Sequence, residues 1–293
     1  MKLLTIITPT YNRARLIVNL YHSLEKQTNN DFYWMVVDDG SKDNTFEVIN
    51  SLTAKASFEI TYLKKENGGK HTALNYGVKQ IKTPLTMIVD SDDCLTYDAV
   101  QSILNVHKKY LSDDSISSYT FLRGYSSDKP IVSVEKDEFI ANYIQYRIKN
   151  HRPGDMAEVF KTKFLKEFPF PEYPGEKFIS EDVVWIEIGK YSNSVYINKV
   201  IYLCKYLEGG LTDNDKKMKF SSPLGSMMRG IQLMSKECGL KENIRGAIIY
   251  DVYRREVENN EANKKELTSR ERFLVLFASL FSFIFYKKWH KEI

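Results

Sequence analysis

Short apolar runs alternate with helical patterns through the amino-terminal part of this chain. Residues 3–8 read as a strand, and Leu16, Ile17, Leu20 and Leu24 then fall on one helical face. Residues 32–37, 58–63 and 85–89 read as three further strands, with helical patterns at 45–52 and 72–81 between them. Repeated strand–helix alternation predicts an α/β fold whose mostly parallel central sheet has helices on both faces. In such sheets ligands lie outside the carboxyl ends of the strands, so the loops after the strands are the places to look for chemistry.

Past a helix that begins at Tyr97 the alternation loosens. Residues 117–125, 131–134 and 156–160 read as strands and 136–148 as a helix. Three prolines and a glycine between Phe168 and Gly175 predict an irregular loop, which leads to Ser180-Glu181-Asp182 and an apolar helix. Ser222-Pro223 opens another helix with Leu224, Met227, Met228, Ile231 and Met234 on one side, ended by Gly239.

The four loops after the first strands are all polar. The last, Asp90-Ser91-Asp92-Asp93, delivers three carboxylates to one sheet edge. Clustered carboxylates repel one another, and a hard divalent cation such as Mg²⁺ or Mn²⁺, shared with the phosphates of a nucleotide, would relieve that repulsion. The same string also fits a solvated turn. Asp38 or Asp39 can accept from a base ring N–H while Tyr11 stacks on it, although Asp39-Gly40-Ser41 fits a tight turn as well. Gly68 and Gly69 let backbone approach a ligand, and Lys70 is a point charge suited to a diphosphate. This is no Walker A loop, because Lys64 stands where the earlier glycine is required and His71 replaces the Ser or Thr. No Gly-x-Gly-x-x-Gly is present for a dinucleotide. Glu181-Asp182 fits either a helix amino terminus or a general base.

Composition narrows the classes. A chain of 293 residues, 43% hydrophobic, can bury a large core, and a net charge of +4 without a basic stripe gives no footprint for nucleic acid. Cys94, Cys204 and Cys238 are scattered and odd in number, which excludes a complete disulfide framework and zinc spacing and suits a reducing cytosol. The amino terminus runs directly into a strand pattern, leaving no room for a secretory signal. A Gly-x-Ser-x-Gly elbow and His-x-x-x-His spacing are both missing, which removes hydrolase and zinc-peptidase readings.

Five segments in this order resemble family 2 glycosyltransferases of the bacterial surface-polysaccharide type. They are Thr8-Pro9-Thr10-Tyr11-Asn12-Arg13, Val36-Val37-Asp38-Asp39-Gly40-Ser41, Asn67-Gly68-Gly69-Lys70 with Ala73-Leu74-Asn75, Asp90-Ser91-Asp92-Asp93, and Glu181-Asp182. The resemblance implies the GT-A fold, a Rossmann-like nucleotide half (1–110) joined to an acceptor half (111–212), and it implies inversion. Carried over, Pro9, Tyr11 and Arg13 line the nucleotide pocket, Asp39 contacts uracil, and Lys70 faces the diphosphate. Asp90 and Asp92 match the family's Asp-x-Asp pair; Asp92 is the first choice for direct contact with Mn²⁺ or Mg²⁺, with Asp93 beside it. Asp182 corresponds to the base, with Glu181 the other acidic candidate. Tyr206-Leu207-Glu208-Gly209-Gly210-Leu211-Thr212 resembles a loop that closes over the donor. The implied partners are a nucleotide-sugar donor and a glycan or lipid-linked glycan acceptor. Two other classes stay open. One is a nucleotidyltransferase, which would favour a Gly-rich basic loop after the first strand, and the other an inactive sugar-nucleotide-binding module, which would lack Asp182.

The region 213–293 reads as a helical extension. Thr268-Ser269-Arg270-Glu271 is a capping-box pattern opening an apolar run, 273–286, of about 21 Å as a helix, short of the ~30 Å hydrocarbon core. With Lys287, Lys288, Trp289 and Lys291 following, the segment 270–291 fits an interfacial helix on the cytoplasmic face of a plasma membrane with Trp289 at the boundary. The other reading is a helix packed on the enzyme or on a second subunit of a homo-oligomer.

Overall fold

The computed structural model describes residues 2–204, 215–257 and 267–291. The loop at 206–212 lies outside the described residues. The chain forms two compact units interleaved along the sequence. The first, the sheet unit, takes the chain up to Asn142, then Pro153–Pro169 and the segment from Tyr191; the helical unit takes Tyr143–Arg152, Phe170–Lys190 and the carboxyl-terminal third.

In the sheet unit β1 (Leu4–Thr10), α1 (Ile17–Glu25), β2 (Phe32–Asp38), α2 (Thr45–Thr53), β3 (Glu59–Lys64), α3 (Lys70–Val78) and β4 (Leu85–Ile88) alternate as expected. β5 (Cys94–Leu95), α4 (Ala99–Lys109), β6 (Ile116–Ser126), β7 (Lys129–Pro130), β8 (Glu138–Ala141), β9 (Met156–Lys161), α5 (Thr162–Glu167) and β10 (Asn193–Leu203) follow. The strand order is β3-β2-β1-β4-β9-β6-β10-β5, with β7 beside β6 and β8 beside β10. β3, β2, β1 and β4 are parallel; β9 then enters antiparallel between β4 and β6.

Every residue of β1 is buried, as a central strand covered on both faces requires. Its side chains divide by parity. Leu4 and Ile6 join Trp34, Val36 and the Ile17, Leu20 and Leu24 stripe of α1 in one core. Ile7, with Val37, faces α3 so closely that a Cβ on Gly77 would sit 2.6 Å from Ile7 Cδ1.

Two expectations fail here. The helix expected over 136–148 is instead strand β8 followed by a π-helical turn, Ile144–Lys149. β8 pairs antiparallel with β10, and Phe139 stacks on Tyr196 at 5.3 Å, so sheet pairing overrides the local helical pattern. The strand expected at 131–134 does not form; the short hairpin partner of β6 is β7. β10 itself had no assignment, because Asn198-Lys199 interrupts its apolar run where the ladder to β6 shifts register.

The helical unit holds α6 (Asp182–Gly189), α7 (Asp215–Phe220), α8 (Pro223–Leu233), α9 (Leu240–Tyr253) and α10 (Ser269–His290). Glu176 accepts from the amides of Leu224 at 2.6 Å and Gly225 at 2.8 Å, placing a carboxylate on the amino terminus of α8. α8 and α9 cross at Gly230 and Gly246, where a Cβ on Gly246 would come within 2.5 Å of Gly230 O. Gly246→Ala should therefore destabilise the fold by about 1–3 kcal/mol. Urea unfolding would show the loss; an unchanged midpoint would mean the helices can part there freely.

Candidate active site

The chain order reverses between β1 and β4, since β2 and β3 lie on one side of β1 and β4 on the other. Open α/β sheets bind ligands at such a reversal. The β1–β4 ladder ends where Val89 N donates to Ile7 O at 3.0 Å. The next donor on that edge would be the amide of residue 9, and Pro9 has none. β1 stays paired to β2 as far as Thr10 and Asp38, so Pro9 opens one edge of β1 and leaves the other closed.

The loop after β1 is tied to the loop after β2. Asn12, in the left-handed region at φ 54, donates its amide to Ser41 Oγ at 2.9 Å and accepts from Lys42 N at 2.8 Å. Tyr11 is 41% exposed, leaving its ring available for stacking. Asp39 is buried and already engaged. Its carboxylate accepts from Lys65 Nζ and Gly68 N, both at 2.9 Å, and from Asn67 Nδ2 at 2.9 Å and Gly69 N at 2.7 Å. The Gly68 and Gly69 amides both close on Asp39.

The acidic turn after β4 is held by cations and a phenol. Lys70, at the start of α3, pairs with Asp90 Oδ1; Arg123 Nη1 lies 4.0 Å from Asp90 Oδ2. Burial pushes the Asp90 carboxyl up, but Lys70 and Arg123, with Arg13 behind them, outweigh it and hold it below the ordinary carboxylate range. Arg13 Nη1 stands 3.9 Å from Asp92 Oδ2. Asp93 goes the other way: burial, with the Asp90 and Asp92 charges adding, pushes it up to about 6 against a hydrogen bond from Tyr202. Tyr202 also accepts from Asp90 N at 3.0 Å.

Of the expected residues, the sheet unit thus brings Arg13, Lys70, Asp90, Asp92 and Asp93 together, with Pro9 at the opening. Arg123 and Tyr202 are additions. The Arg123 guanidinium lies 4.2 Å over the Tyr202 ring, and its Nε donates to Met156 O at 2.8 Å. An arginine in the otherwise apolar and small-residue run of β6 was the available signal. Glu181 and Asp182 belong to the helical unit. Asp182 opens α6, accepts a hydrogen bond from Ser180 Oγ at 2.6 Å, and accepts from Arg229 Nε on both oxygens at 3.0 and 2.8 Å.

Solved structures with this fold are GT-A glycosyltransferases. TarS residues 1–349 of S. aureus in complex with UDP-GlcNAc aligns over 95% of this chain and 79% of its own, with TM-score 0.59 and 19% identity. A mannosyltransferase of Pyrobaculum calidifontis in complex with GDP-Man and Mn²⁺ aligns over 99% and 83%, with TM-score 0.58 and 15% identity. The model of the Glycosyl transferase family 2 matches residues 5–164, more than half of the chain, and the chain belongs to that family. Among curated relatives, GlyG of Streptococcus pneumoniae is 25% identical over 220 residues, 72% of this chain and 73% of GlyG. GlyA of the same organism is 23% identical over 202 residues, 68% of this chain but 28% of GlyA. The chain spans about a quarter of GlyA, and the family 2 segment is what it shares with these relatives.

The raised Asp93 carboxyl carries a stability cost with a definite sign. The folded chain holds that proton more tightly than the unfolded one, so stability is greatest below the unfolded value near 4 and falls as pH rises to about 6. In chelator, Asp93→Asn should be more stable than the wild type by about 1–3 kcal/mol at pH 7, with the difference gone by about pH 4. Urea titrations across that range measure it. A constant offset at every pH would place the strain elsewhere than in the Asp93 charge.

Proposed function

We propose that this chain transfers a sugar from a nucleotide diphosphate sugar, UDP-linked, to a hydroxyl of a glycan or lipid-linked glycan, with inversion at the anomeric carbon. The observation that carries this reading is the turn Asp90–Asp93 set among Lys70, Arg13 and Arg123 at the end of β4, beside the edge that Pro9 opens. An arriving diphosphate competes with Asp90 for Lys70, and Arg13 stands on the same turn. Tyr11 offers a stacking face for the base. Asp39 would reach uracil only by exchanging one of its four loop donors.

The donor set fits a hard cation. Among the described residues no group of three His, Cys, Asp or Glu side chains could hold a metal ion. A Mg²⁺ or Mn²⁺ ion would therefore take much of its shell from the donor's phosphates and water, the usual arrangement for Mg²⁺. Asp92, loosely paired at 3.9 Å, would be its first ligand and Asp93 the second. When bound, such an ion offsets charge on the departing diphosphate.

The transfer is a single displacement. The acceptor oxygen bonds to the anomeric carbon as the bond to the diphosphate oxygen breaks, and the acceptor proton passes to the Asp182 carboxylate. Ser180 and Arg229 orient that carboxylate. A lipid-linked acceptor would place the reaction at the inner face of the plasma membrane, with the enzyme peripheral to it.

A donor screen tests the class: UDP-, GDP- and dTDP-sugars, each with and without Mn²⁺, followed by release of the nucleoside diphosphate. Release of UDP with a glycosylated product is expected; no UDP release, but formation of UTP and sugar 1-phosphate from the UDP-sugar once pyrophosphate is added, would mark a nucleotidyltransferase. Asp92→Asn should abolish transfer and weaken Mn²⁺-dependent UDP binding in calorimetry, and wild-type binding by that variant would remove Asp92 as ligand. Asp182→Asn should lower kcat by roughly 10²-fold or more with little change in donor affinity. Undiminished turnover would move the base to Glu181.

A further inference from the structure

α10 is apolar on two sides, and among the described residues only one of them has a partner. Leu274, Val275 and Ala278 are buried, and Ser282 donates to the fully buried Asp251 of α9. Asp251 also pairs with Arg254 and Arg255, and Arg255 Nη2 donates to Ser282 Oγ at 3.1 Å. At the other end Arg270 donates to Met234 O at 2.5 Å and to Asn243 Oδ1. These contacts set the rotation of the helix. At about 100° per residue, Phe273, Leu276, Leu280 and Ile284 then fall on the opposite side. Leu276, Leu280 and Ile284 are 70%, 71% and 67% exposed.

We infer that this outward face binds an anionic lipid surface. Lys287, Lys288 and Lys291 are exposed and continue the same face one turn beyond the apolar residues, and no acidic residue occurs between Arg272 and Lys291. Phenylalanine, leucine and isoleucine bordered by lysines match acyl chains bordered by phosphate headgroups. In a parallel pair of copies joined through this face the lysine clusters would meet and repel, whereas anionic headgroups neutralise them. No helix among the described residues is long and apolar enough to cross a membrane, so the face lies along the surface. Trp289, expected at the boundary, instead stacks toward Tyr253 of α9 at 6.2 Å and does not belong to the face. The inference is independent of the donor and of the reaction.

Flotation of the full chain tests it, using vesicles of phosphatidylcholine with phosphatidylglycerol and vesicles of phosphatidylcholine alone. The wild type should float with the anionic vesicles. Leu276→Gln, Leu280→Gln and Ile284→Gln together should abolish flotation while leaving the α9 contacts, the circular dichroism spectrum and the melting temperature in place. Lys287→Gln, Lys288→Gln and Lys291→Gln together should remove the preference for anionic vesicles, each lysine contributing about fivefold. Two results overturn the inference: a wild type that stays off both kinds of vesicle, or a wild-type dimer in sedimentation that the leucine and isoleucine substitutions dissociate.

Discussion

A carboxylate taken out of water at the end of a strand must find donors, and the edge of this sheet is organised by three that do. Asp38, fully buried, takes the Ser41 amide at 2.7 Å and the Tyr62 hydroxyl. Asp39 takes two backbone amides, an amide side chain and Lys65 from the loop after β3. Asp90 takes Lys70 from α3 and stands near Arg123 of β6. Each aspartate thus pins a loop that follows a different strand, and the shape of this sheet edge is a by-product of satisfying charge.

That economy gives single residues two duties. Asp39 is the family's base contact by resemblance and the anchor of the Gly68–Gly69 loop by geometry. Lys70 is both counter-ion to Asp90 and the cation nearest the start of α3. Groups already paired within the protein hold this turn in shape.

The parallel half of the fold was legible because its information is local. An all-buried run such as Leu4–Thr10, a stripe such as Ile17, Leu20 and Leu24, and an aspartate string directly after β4 need no distant partner to be read. Arg123 and Tyr202 were not legible because their meaning is tertiary. The residues 136–148 were misread for the same reason, since only β10, more than fifty residues onward, makes Glu138–Ala141 a strand. The role of Asp182 rests on resemblance; its partner Arg229, 47 residues later, carries no mark in the sequence.

The reach of Tyr202 has a consequence for how the protein is made. It follows Asp90 by 112 residues, and β10 is the last strand of the sheet. During synthesis the β1–β4 half can pair from nearby segments, whereas the acidic turn gains its phenol only after the ribosome has passed residue 202. This edge of the sheet is therefore laid down first and locked last.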